Sequence, residues 1–267
     1  MDRAVQRPIF HWNKRSFKPQ TDRVIGEEPL SIRIQGRPYS VIMRTPGEEL
    51  FHAAGFCLGE GIADQPEDIQ SLAFCDGSDT NVVTVTLTES RRSLIPELLE
   101  RRRYVSQTSC GLCGKEIVDD LYLQIQPITK KIRISLNKAY ECLNNLSALQ
   151  PLREETRSSH AAALYSEDLT VLSSAEDVGR HNALDKAIGK LFLENRLMEA
   201  GILVLSSRIS YELVQKAARA RLPIVLAVSR PTDLAVELAL RMNMTLICLS
   251  KKSGLDIFCG ENRIISR

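Results

Sequence analysis

The sequence lacks the features that would place a protein in or across a membrane. Its first residues, from Met1 to Arg7, carry charges and contain no apolar stretch of the kind found in a secretory signal peptide. None of its apolar runs approaches the roughly 20 residues that a membrane-spanning helix needs. We therefore expect a cytoplasmic protein that has no membrane partner.

A large excess of charge of one sign is also missing. The 267 residues include 35 lysines and arginines against 33 aspartates and glutamates, so the formal net charge is only +2. A balance this close to neutrality gives no support for binding to nucleic acid. The length is enough for one large domain or two modest ones, each with a hydrophobic core.

The cysteines do not form a pattern that indicates a disulfide framework. There are seven of them, an odd number, spread through a chain of ordinary globular composition. In a reducing compartment such cysteines serve as thiols, metal ligands or catalysts. Only Cys110 and Cys113 lie close together, in a C-x-x-C pair with glycine on both sides.

The first half of the chain is predicted to be rich in β-strands. We expect a loose arm over 1–22, followed by a domain over 23–150 that carries the C-x-x-C loop at 106–115. Strands at 30–34 and 39–43 alternate apolar with polar residues around a turn, which predicts a hairpin.

Two helices in this half have recognisable start signals. Thr45 is expected to cap a helix whose first residue is Pro46, with Glu48 completing a capping box. Asn137 is expected to cap a second helix, which ends near residue 149.

The second half, 151–267, is predicted to be an α/β domain. Wholly apolar strands at 202–205, 224–228 and 245–249 alternate with helices, and an edge strand follows at 256–259. This alternation is typical of a largely parallel sheet that is buried on both faces.

Each predicted junction between a strand and the next helix is polar. Ligands bind at such junctions in α/β sheets, because the strand ends and helix starts meet at one edge. The loops at 177–182, 206–208, 229–232 and 250–254 supply hydroxyl groups, cations and helix amino-terminal amides, which together suit a phosphate group. We take Arg208 and His181 from these loops as candidate ligand residues, although each loop alone could simply be a capped, solvated turn.

The C-x-x-C pair has three chemical interpretations. A zinc site would need two further ligands at similar spacing, and the sequence has no second pair, so we assign no metal site. Thiol–disulfide exchange and sulfur transfer through a cysteine persulfide both use two close thiols. Arg101, Arg102, Arg103 and Lys115 would favour a thiolate in either case, and spacing alone does not choose between the two.

Several motifs occur along the chain in a fixed order. They are MRTPG at 43–47, GF at 55–56, EGI at 60–62, SCGLCG at 109–114, EDVGRHNALDK at 176–186, SRISYELVQK at 207–216 and PTDLAVE at 231–237. This combination resembles the FdhD family of sulfur carrier proteins that assist formate dehydrogenase. The resemblance covers roughly residues 25 to 265.

The resemblance implies a fold and a function. The fold is a cytidine deaminase-like three-layer α/β domain beside a smaller β-rich N-terminal domain, in a homodimer. The function is to receive sulfur from a cysteine desulfurase and to sulfurate bis(molybdopterin guanine dinucleotide), the molybdenum cofactor, before the cofactor enters the formate dehydrogenase apoprotein. A guanine nucleotide would mimic the bound cofactor.

The resemblance also assigns residues. Cys110 would carry the persulfide and Cys113 would be the second thiol. The family's cofactor-binding stretch falls on six consecutive residues, which are Leu249, Ser250, Lys251, Lys252, Ser253 and Gly254.

Two departures from the family pattern stand out. Thr156-Arg157-Ser158 replaces the Thr-Gly-Gly that relatives tend to have before the HAAA segment, so we leave His160 out of the site. Lys251 and Lys252 keep positive charge but lack the bidentate geometry of arginine. Two other functions stay open, a thiol–disulfide oxidoreductase and a cofactor chaperone that performs no sulfur chemistry.

Overall fold

The computed structural model describes residues 2–75, 80–94 and 125–265. Its strands are β1 (Ala4–Trp12), β2 (Phe17–Ile25), β3 (Glu28–Ile34), β4 (Arg37–Arg44), β5 (Ile69–Phe74), β6 (Val82–Leu87), β7 (Ile134–Ser135), β8 (His160–Tyr165), β9 (Val171–Asp177), β10 (Ile202–Leu205), β11 (Ile224–Ala227), β12 (Thr245–Leu249), β13 (Leu255–Cys259) and β14 (Ile264–Ile265). Its α-helices are α1 (Glu49–Gly59), α2 (Glu89–Arg92), α3 (Leu136–Asn145), α4 (Pro151–Thr156), α5 (Arg180–Leu193), α6 (Tyr211–Arg219) and α7 (Asp233–Arg241).

The largest sheet has six strands in the order β13-β12-β11-β10-β8-β9. Strands β10, β11 and β12 are parallel, as their apolar sequences predict. Strand β13 pairs antiparallel with β12, which confirms the predicted edge strand, and β8 pairs antiparallel with β10. The predicted α/β fold class is confirmed.

Both faces of this sheet are buried, and alternate residues of each strand enter different cores. In β10, Leu203 and Leu205 pack with α5, α6 and α7, whereas Ile202 and Val204 pack with α3 on the other face. This division arises because the side chains of successive residues in a strand point to opposite faces of the sheet. The result is three layers, with the sheet in the middle.

A second, four-stranded sheet has the order β4-β3-β6-β5. Its buried residues share one continuous core with α1, α5 and the main sheet, among them Leu30, Ile32, Val83 and Val85. The predicted hairpin of β3 and β4 is confirmed. The domain boundary expected near Gln150 stays a prediction. One hydrophobic core contains residues from both halves of the chain.

Helices α1 and α5 cross at very short range. A Cβ atom added to Gly189 would overlap the carbonyl oxygen of Phe51, and one added to Gly55 would overlap the backbone of Asp185. Only glycine permits this approach, because any side chain would push the two backbones apart. No helix in the described ranges is long and apolar enough to cross a membrane.

Three local expectations were wrong. The segment expected to be a loose arm forms the paired strands β1 and β2 instead, with Phe10, Trp12 and Phe17 largely exposed. Helix α1 begins at Glu49 without a side-chain cap, because Thr45 is engaged by the second half of the chain and Glu48 takes a left-handed φ of 64°. Helix α3 is capped by Ser135, which accepts a hydrogen bond from the backbone N–H of Lys138, rather than by Asn137.

Replacing Gly189 by alanine tests the crossing of α1 and α5. Alanine favours a helix by up to about 1 kcal/mol over glycine, yet the clash with Phe51 should lower the free energy of unfolding by about 3 kcal/mol. Urea denaturation measures this change. In the matched control Gly36→Ala the new Cβ meets open space at a positive φ, so only about 1–2 kcal/mol should be lost. Equal stability of Gly189→Ala and wild type would contradict the crossing.

Candidate functional site

The topology of the main sheet brings the polar loops to one edge. Residue Leu205, at the carboxyl end of β10, pairs with Ala227 of β11, and Ala227 pairs with Cys248 of β12. On the other side Leu205 pairs with Ala162, so the start of β8 and the end of β9 lie at the same edge. We call the four loops there, at 177–182, 206–208, 229–232 and 250–254, the polar edge.

His181 is held in place at the start of α5. Its Nε2 lies 3.3 Å from the hydroxyl of Ser210 and 3.7 Å from a carboxylate oxygen of Glu212. The close approach of His181 is the main reason that the pKa of Glu212 falls to about 2, against the opposing effect of partial burial. His181 is thus fixed by α6, with its ring only partly exposed.

Arg180 lies beside His181 as the first residue of α5. Its Nε is buried and has no hydrogen-bond partner in the described part of the chain. Burial lowers the pKa of Arg180, and the charge of Arg208 lowers that pKa further, while Glu212 acts in the opposite direction. Arg180 therefore has a guanidinium nitrogen that the described fold does not use.

His160 adds a further basic side chain at this end of the polar edge. It opens β8 opposite Asp177. Burial lowers its pKa first, followed by the charges of Arg180 and Arg153. The neutral imidazole is therefore favoured. Nearby Arg157 adopts a φ of 58°, a conformation that glycine accepts more easily.

The other end of the polar edge is electrostatically different. Arg230 makes a 2.6 Å ion pair with Asp256 and lies over the ring of Phe258. This pairing, with a hydrogen bond from Ser250, lowers the pKa of Asp256. The positive charge of Arg230 is therefore already balanced.

The predicted cofactor-binding stretch is the turn between β12 and β13. The backbone N–H of Ser250 donates to the carbonyl of Gly254 at 2.9 Å, and Gly254 has a φ of 79°. Leu249 packs against the core. Lys251, Lys252 and Ser253 are exposed. The stretch thus offers two lysine ammonium groups on a tight turn.

Some of the hydroxyl groups expected to bind a ligand are used within the protein. The Ser206 hydroxyl accepts a hydrogen bond from the backbone N–H of Ala161, and the Ser207 hydroxyl donates to the carbonyl of Arg208. The cations, rather than these two serines, are therefore the groups at the polar edge that could hold a ligand.

Several side chains of the EDVGRHNALDK motif are buried, where they form contacts that stabilise the fold. The carboxylate of Asp177 makes a 2.8 Å ion pair with Lys186, and both side chains are completely buried. Asp177 also accepts hydrogen bonds from the backbone N–H of Thr45, from that of Gly179 and from the side-chain amide of Asn182. The Lys186 ammonium donates in turn to the carbonyl of Thr45 at 2.7 Å. Of this motif, Arg180 and His181 have side chains that lie outside this buried network.

The two predicted catalytic cysteines, Cys110 and Cys113, lie outside the described residues. The chain on either side of them is anchored at the opposite end of α6 from the polar edge. Arg91 donates to the carbonyls of Gly61 and Ile62 on one side, and Arg221 donates to the carbonyl of Gln126 on the other. The described residues on either side of 95–124 therefore lie where the parallel strands begin.

The described cysteines are poor nucleophiles, with one exception. Burial raises the pKa of Cys142 to about 11 and raises the pKa values of Cys248 and Cys259. Cys57 is fully buried. Cys75 is exposed and serves as a natural control thiol.

Sequence reasoning missed three residues of this site. Arg180 was within a predicted loop but was not selected, since it adjoined the more distinctive His181. Ser210 and Glu212 looked like ordinary residues of a helix start. The S-x-E spacing at 210–212, directly after a polar loop, is the sequence feature from which Ser210 and Glu212 could be predicted.

The fold and the site define a class of protein, an α/β protein with a cationic sheet edge and a paired-cysteine segment. The model of the FdhD/NarQ family matches residues 25–265. The chain is 36% identical over 272 residues to "Sulfur carrier protein FdhD" of Streptomyces coelicolor, with 98% of this chain and 96% of that protein covered. It is 37% identical over 273 residues to the protein of that name from Mycolicibacterium paratuberculosis, with 99% and 100% covered.

A solved structure has the same fold. This crystal structure, from Desulfotalea psychrophila, is of a protein assigned as a formate dehydrogenase accessory protein. It matches with a TM-score of 0.77 at 21% identity, covering 99% of this chain and all of that one. The chain belongs to the FdhD/NarQ family, which confirms the resemblance drawn from the motifs.

Replacing Lys186 by methionine tests the structural role of the motif. The change leaves the Asp177 carboxylate buried without its cation, so the free energy of unfolding should fall by about 3–5 kcal/mol. Lys190→Met, one turn further along α5, makes the same chemical change at a partly exposed site and should cost about 0.5 kcal/mol. Denaturant titration of both variants measures the difference. Equal losses would show that the buried ion pair is not what stabilises this region.

Proposed function

We propose that this chain is a sulfur carrier that serves the maturation of formate dehydrogenase. The observation that carries the proposal is membership of the FdhD/NarQ family over 25–265, with relatives named sulfur carrier proteins at 34–37% identity. The C-x-x-C pair supplies the thiol chemistry that this role requires.

Cys110 is the sulfur-accepting residue in this proposal. Its thiolate attacks the outer sulfur of a persulfide on a cysteine desulfurase. A new sulfur–sulfur bond forms at Cys110, the bond within the donor persulfide breaks, and the desulfurase cysteine leaves as a thiolate. No electrons are gained or lost overall in this exchange, so it needs no further reactant.

Cys113 releases the sulfur. Its thiolate attacks the inner sulfur, that of Cys110, and the outer sulfur leaves as hydrosulfide, which can become a ligand of molybdenum. A disulfide between Cys110 and Cys113 remains, and a dithiol reductant restores both thiols. The two cysteines thus have separate roles, loading and discharge.

The polar edge is the proposed binding site for the sulfur acceptor. The acceptor is bis(molybdopterin guanine dinucleotide), bound as a substrate and passed on to the formate dehydrogenase apoprotein. Leu249 to Gly254 would contact a guanine nucleotide, and Arg208 and His181 would contribute from the neighbouring loops. What supports this assignment is the cluster of cationic side chains at one sheet edge, which suits the phosphates of such a ligand. A cytoplasmic homodimer is part of the same proposal.

A persulfide experiment tests the sulfur chemistry. Incubation of the wild-type protein with a cysteine desulfurase and cysteine should add the mass of one sulfur atom to Cys110, and a thiol reductant should remove it. Cys110→Ala should abolish loading, whereas Cys113→Ala should load and then discharge slowly. Intact-protein and peptide mass spectrometry report both steps.

Cys75→Ala is the matched control for that experiment, because it removes an exposed thiol outside the pair. It should load as the wild type does. If Cys110→Ala still delivers active cofactor, a chaperone without sulfur chemistry replaces our proposal. If only a reversible disulfide forms and no sulfur is added, the protein is a thiol–disulfide oxidoreductase and our proposal is wrong.

A binding experiment tests the 249–254 stretch. Removing both ammonium groups in the double variant Lys251→Ala, Lys252→Ala should weaken the affinity for GDP about tenfold or more, because both side chains are exposed on the turn. Isothermal titration calorimetry at fixed salt measures the affinity. Lys190→Ala, distant from the polar edge, should bind GDP as the wild type does. Unchanged binding by the double variant would remove this stretch from the site.

A further inference from the structure

We propose that the hairpin of β1 and β2 is a docking arm for an acidic, partly apolar surface on the protein that receives the bound cofactor. Identifying the receiver as the formate dehydrogenase apoprotein rests on the proposed function. The hairpin is separate from the cysteine pair and from the loops of the polar edge.

The free end of the hairpin has an aromatic face. In the observed register Trp12 pairs with Phe17, and Phe10 pairs with Pro19. Paired residues, and residues two apart along a strand, point to the same side, so the three rings lie on one face. They are between 62% and 70% exposed. An isolated two-stranded ribbon is only marginally stable in water, so large uncovered rings on such a ribbon are typical of a surface that a partner covers.

The free end is ordered by contacts of its own. The side-chain oxygen of Asn13 accepts hydrogen bonds from the backbone N–H groups of Arg15 and Ser16, at 3.1 and 3.0 Å. The rings of Phe10 and Phe17 contact each other, with their centroids 6.0 Å apart. A surface that is ordered in advance loses little conformational entropy on binding. These contacts therefore favour docking by the hairpin.

The edges of the hairpin are protected against the addition of another strand. The N–H of Asn13 donates to the carbonyl of Ser16 at 3.3 Å, so this pair is hydrogen-bonded. Bonded and non-bonded pairs alternate along an antiparallel ribbon, so the backbone nitrogens of residues 8 and 19 point outward. Both residues are prolines, which have no N–H to offer a further strand. A partner therefore meets the aromatic face rather than extending the ribbon.

The charge of the free end indicates the chemistry of the partner. Residues 8–19 include Lys14, Arg15 and Lys18 and no acidic residue. All three cations are exposed, and none forms an ion pair with a described residue. An apolar groove bordered by carboxylates is complementary to this arrangement. Two copies of the hairpin would bring like charges together, so contact between the hairpins of two copies is disfavoured.

The position of the cations also favours a protein over nucleic acid. Lys14 and Arg15 lie at the turn, and Lys18 pairs with His11 on the face opposite the rings. Single-stranded nucleic acid stacks its bases on aromatic side chains while cations beside them track the backbone. The aromatic face carries no cation between its three rings.

The area of the aromatic face suits a transient partner. At the observed exposure the three rings offer on the order of 400 Å². A standard stable interface buries about 800 Å² on each partner. The rings thus supply only part of such an interface, and the cations at its rim act mainly on the rate of association. This balance fits a protein that docks, takes up a ligand and leaves.

The base of the hairpin lies beside the polar edge. The N–H of Gly26, directly after β2, donates to the carbonyl of Arg3 at 2.8 Å, and the Arg3 guanidinium donates to the carbonyl of Glu176 at 3.2 Å. Glu176 lies one residue before the end of β9, at the polar edge. Arg23 adds an ion pair with Glu155 of α4. A protein docked on the hairpin is therefore next to the loops from which it would receive the cofactor.

The test measures the affinity of the full-length protein for the formate dehydrogenase apoprotein by biolayer interferometry. Phe10→Ser and Phe17→Ser should each weaken binding about tenfold or more, because each removes a ring from the aromatic face. Leu240→Ser is the matched control. It removes an apolar side chain that is 61% exposed, near the end of α7, and should bind as the wild type does.

Charge reversal tests the acidic character of the partner. The double variant Lys14→Glu, Lys18→Glu should weaken binding about tenfold at low salt and remove most of the salt dependence of the association rate. Lys131→Glu, Lys138→Glu makes the same change in net charge at exposed residues outside the hairpin, and should bind as the wild type does. Equal losses in the two double variants would show that the hairpin charges have no specific role.

Trp12 reports docking directly, because it is the only tryptophan in the sequence. Labelling the protein with 5-fluorotryptophan gives one ¹⁹F resonance. Addition of the apoprotein should shift and broaden this resonance in the wild type and leave it unchanged in Phe17→Ser at the same concentration. A resonance that stays unchanged while the wild type binds the apoprotein would overturn the docking arm.

Other occupants of the aromatic face give different results, each of which would overturn the proposal. Conversion of a dimer to a monomer in Phe10→Ser and Phe17→Ser, seen by analytical ultracentrifugation, would show that a second copy covers the face. Cosedimentation with anionic phospholipid vesicles that both variants lose would show a membrane surface. Loss of sulfur loading from the desulfurase in both variants would show that the hairpin binds the sulfur donor.

The docking arm and the proposed function fail separately. Circular dichroism checks that each variant is folded, and the charge reversal carries the test if a ring variant is not. Binding of the apoprotein through the aromatic face, without any sulfur loading of Cys110, would sink the proposed function and leave the docking arm standing. Sulfur loading by a wild type that does not bind the apoprotein, or whose ring variants bind it equally well, would do the reverse.

Discussion

The buried ion pair between Asp177 and Lys186 is the interaction on which the rest of the structure depends. Both side chains are fully desolvated, which would be very costly if either lacked its partners. Hydrogen bonds between this pair and the backbone of Thr45 connect the main sheet to the smaller sheet, because Thr45 directly follows β4. One charged pair thus fixes the end of β9, the first turns of α5 and the attachment of the smaller sheet.

The position of this ion pair determines where the neighbouring residues that face the polar edge lie. Because the buried ion pair with Lys186 fixes Asp177 at the end of β9, the first residues of α5, Arg180 and His181, lie at the polar edge. Ser210 and Glu212 on α6 then hold His181 from the side. At the other end of α6, contacts of Arg91 and Arg221 anchor the chain on either side of segment 95–124. The fold therefore places cations at one end of the sheet and the described residues on either side of 95–124 at the other end.

The sequence predicted most of the second half because its signals are local. Short apolar runs such as 202–205 are typical of strands buried on both faces, and their alternation with helices predicts a parallel sheet. Predictions at the element ends were less accurate, since capping depends on competing partners. Thr45 has the right chemistry for a helix cap, but the backbone and side chain of Thr45 bind Asp177 and Val178, 132 and 133 residues away.

The sequence by itself determined the α/β class, the family, the order of the elements and the polar character of the loops that follow the strands. Periodicity and motif order carry that information, and neither depends on distant contacts. Only the tertiary structure decided which charges are available. Asp177 and Lys186 neutralise each other between β9 and α5, and Arg230 is neutralised by Asp256 on β13, while the Nε of Arg180 has no hydrogen-bond partner among the described residues. Charge balance is a property of neighbours in space, and a sequence motif does not distinguish a buried counter-ion from a ligand-binding cation.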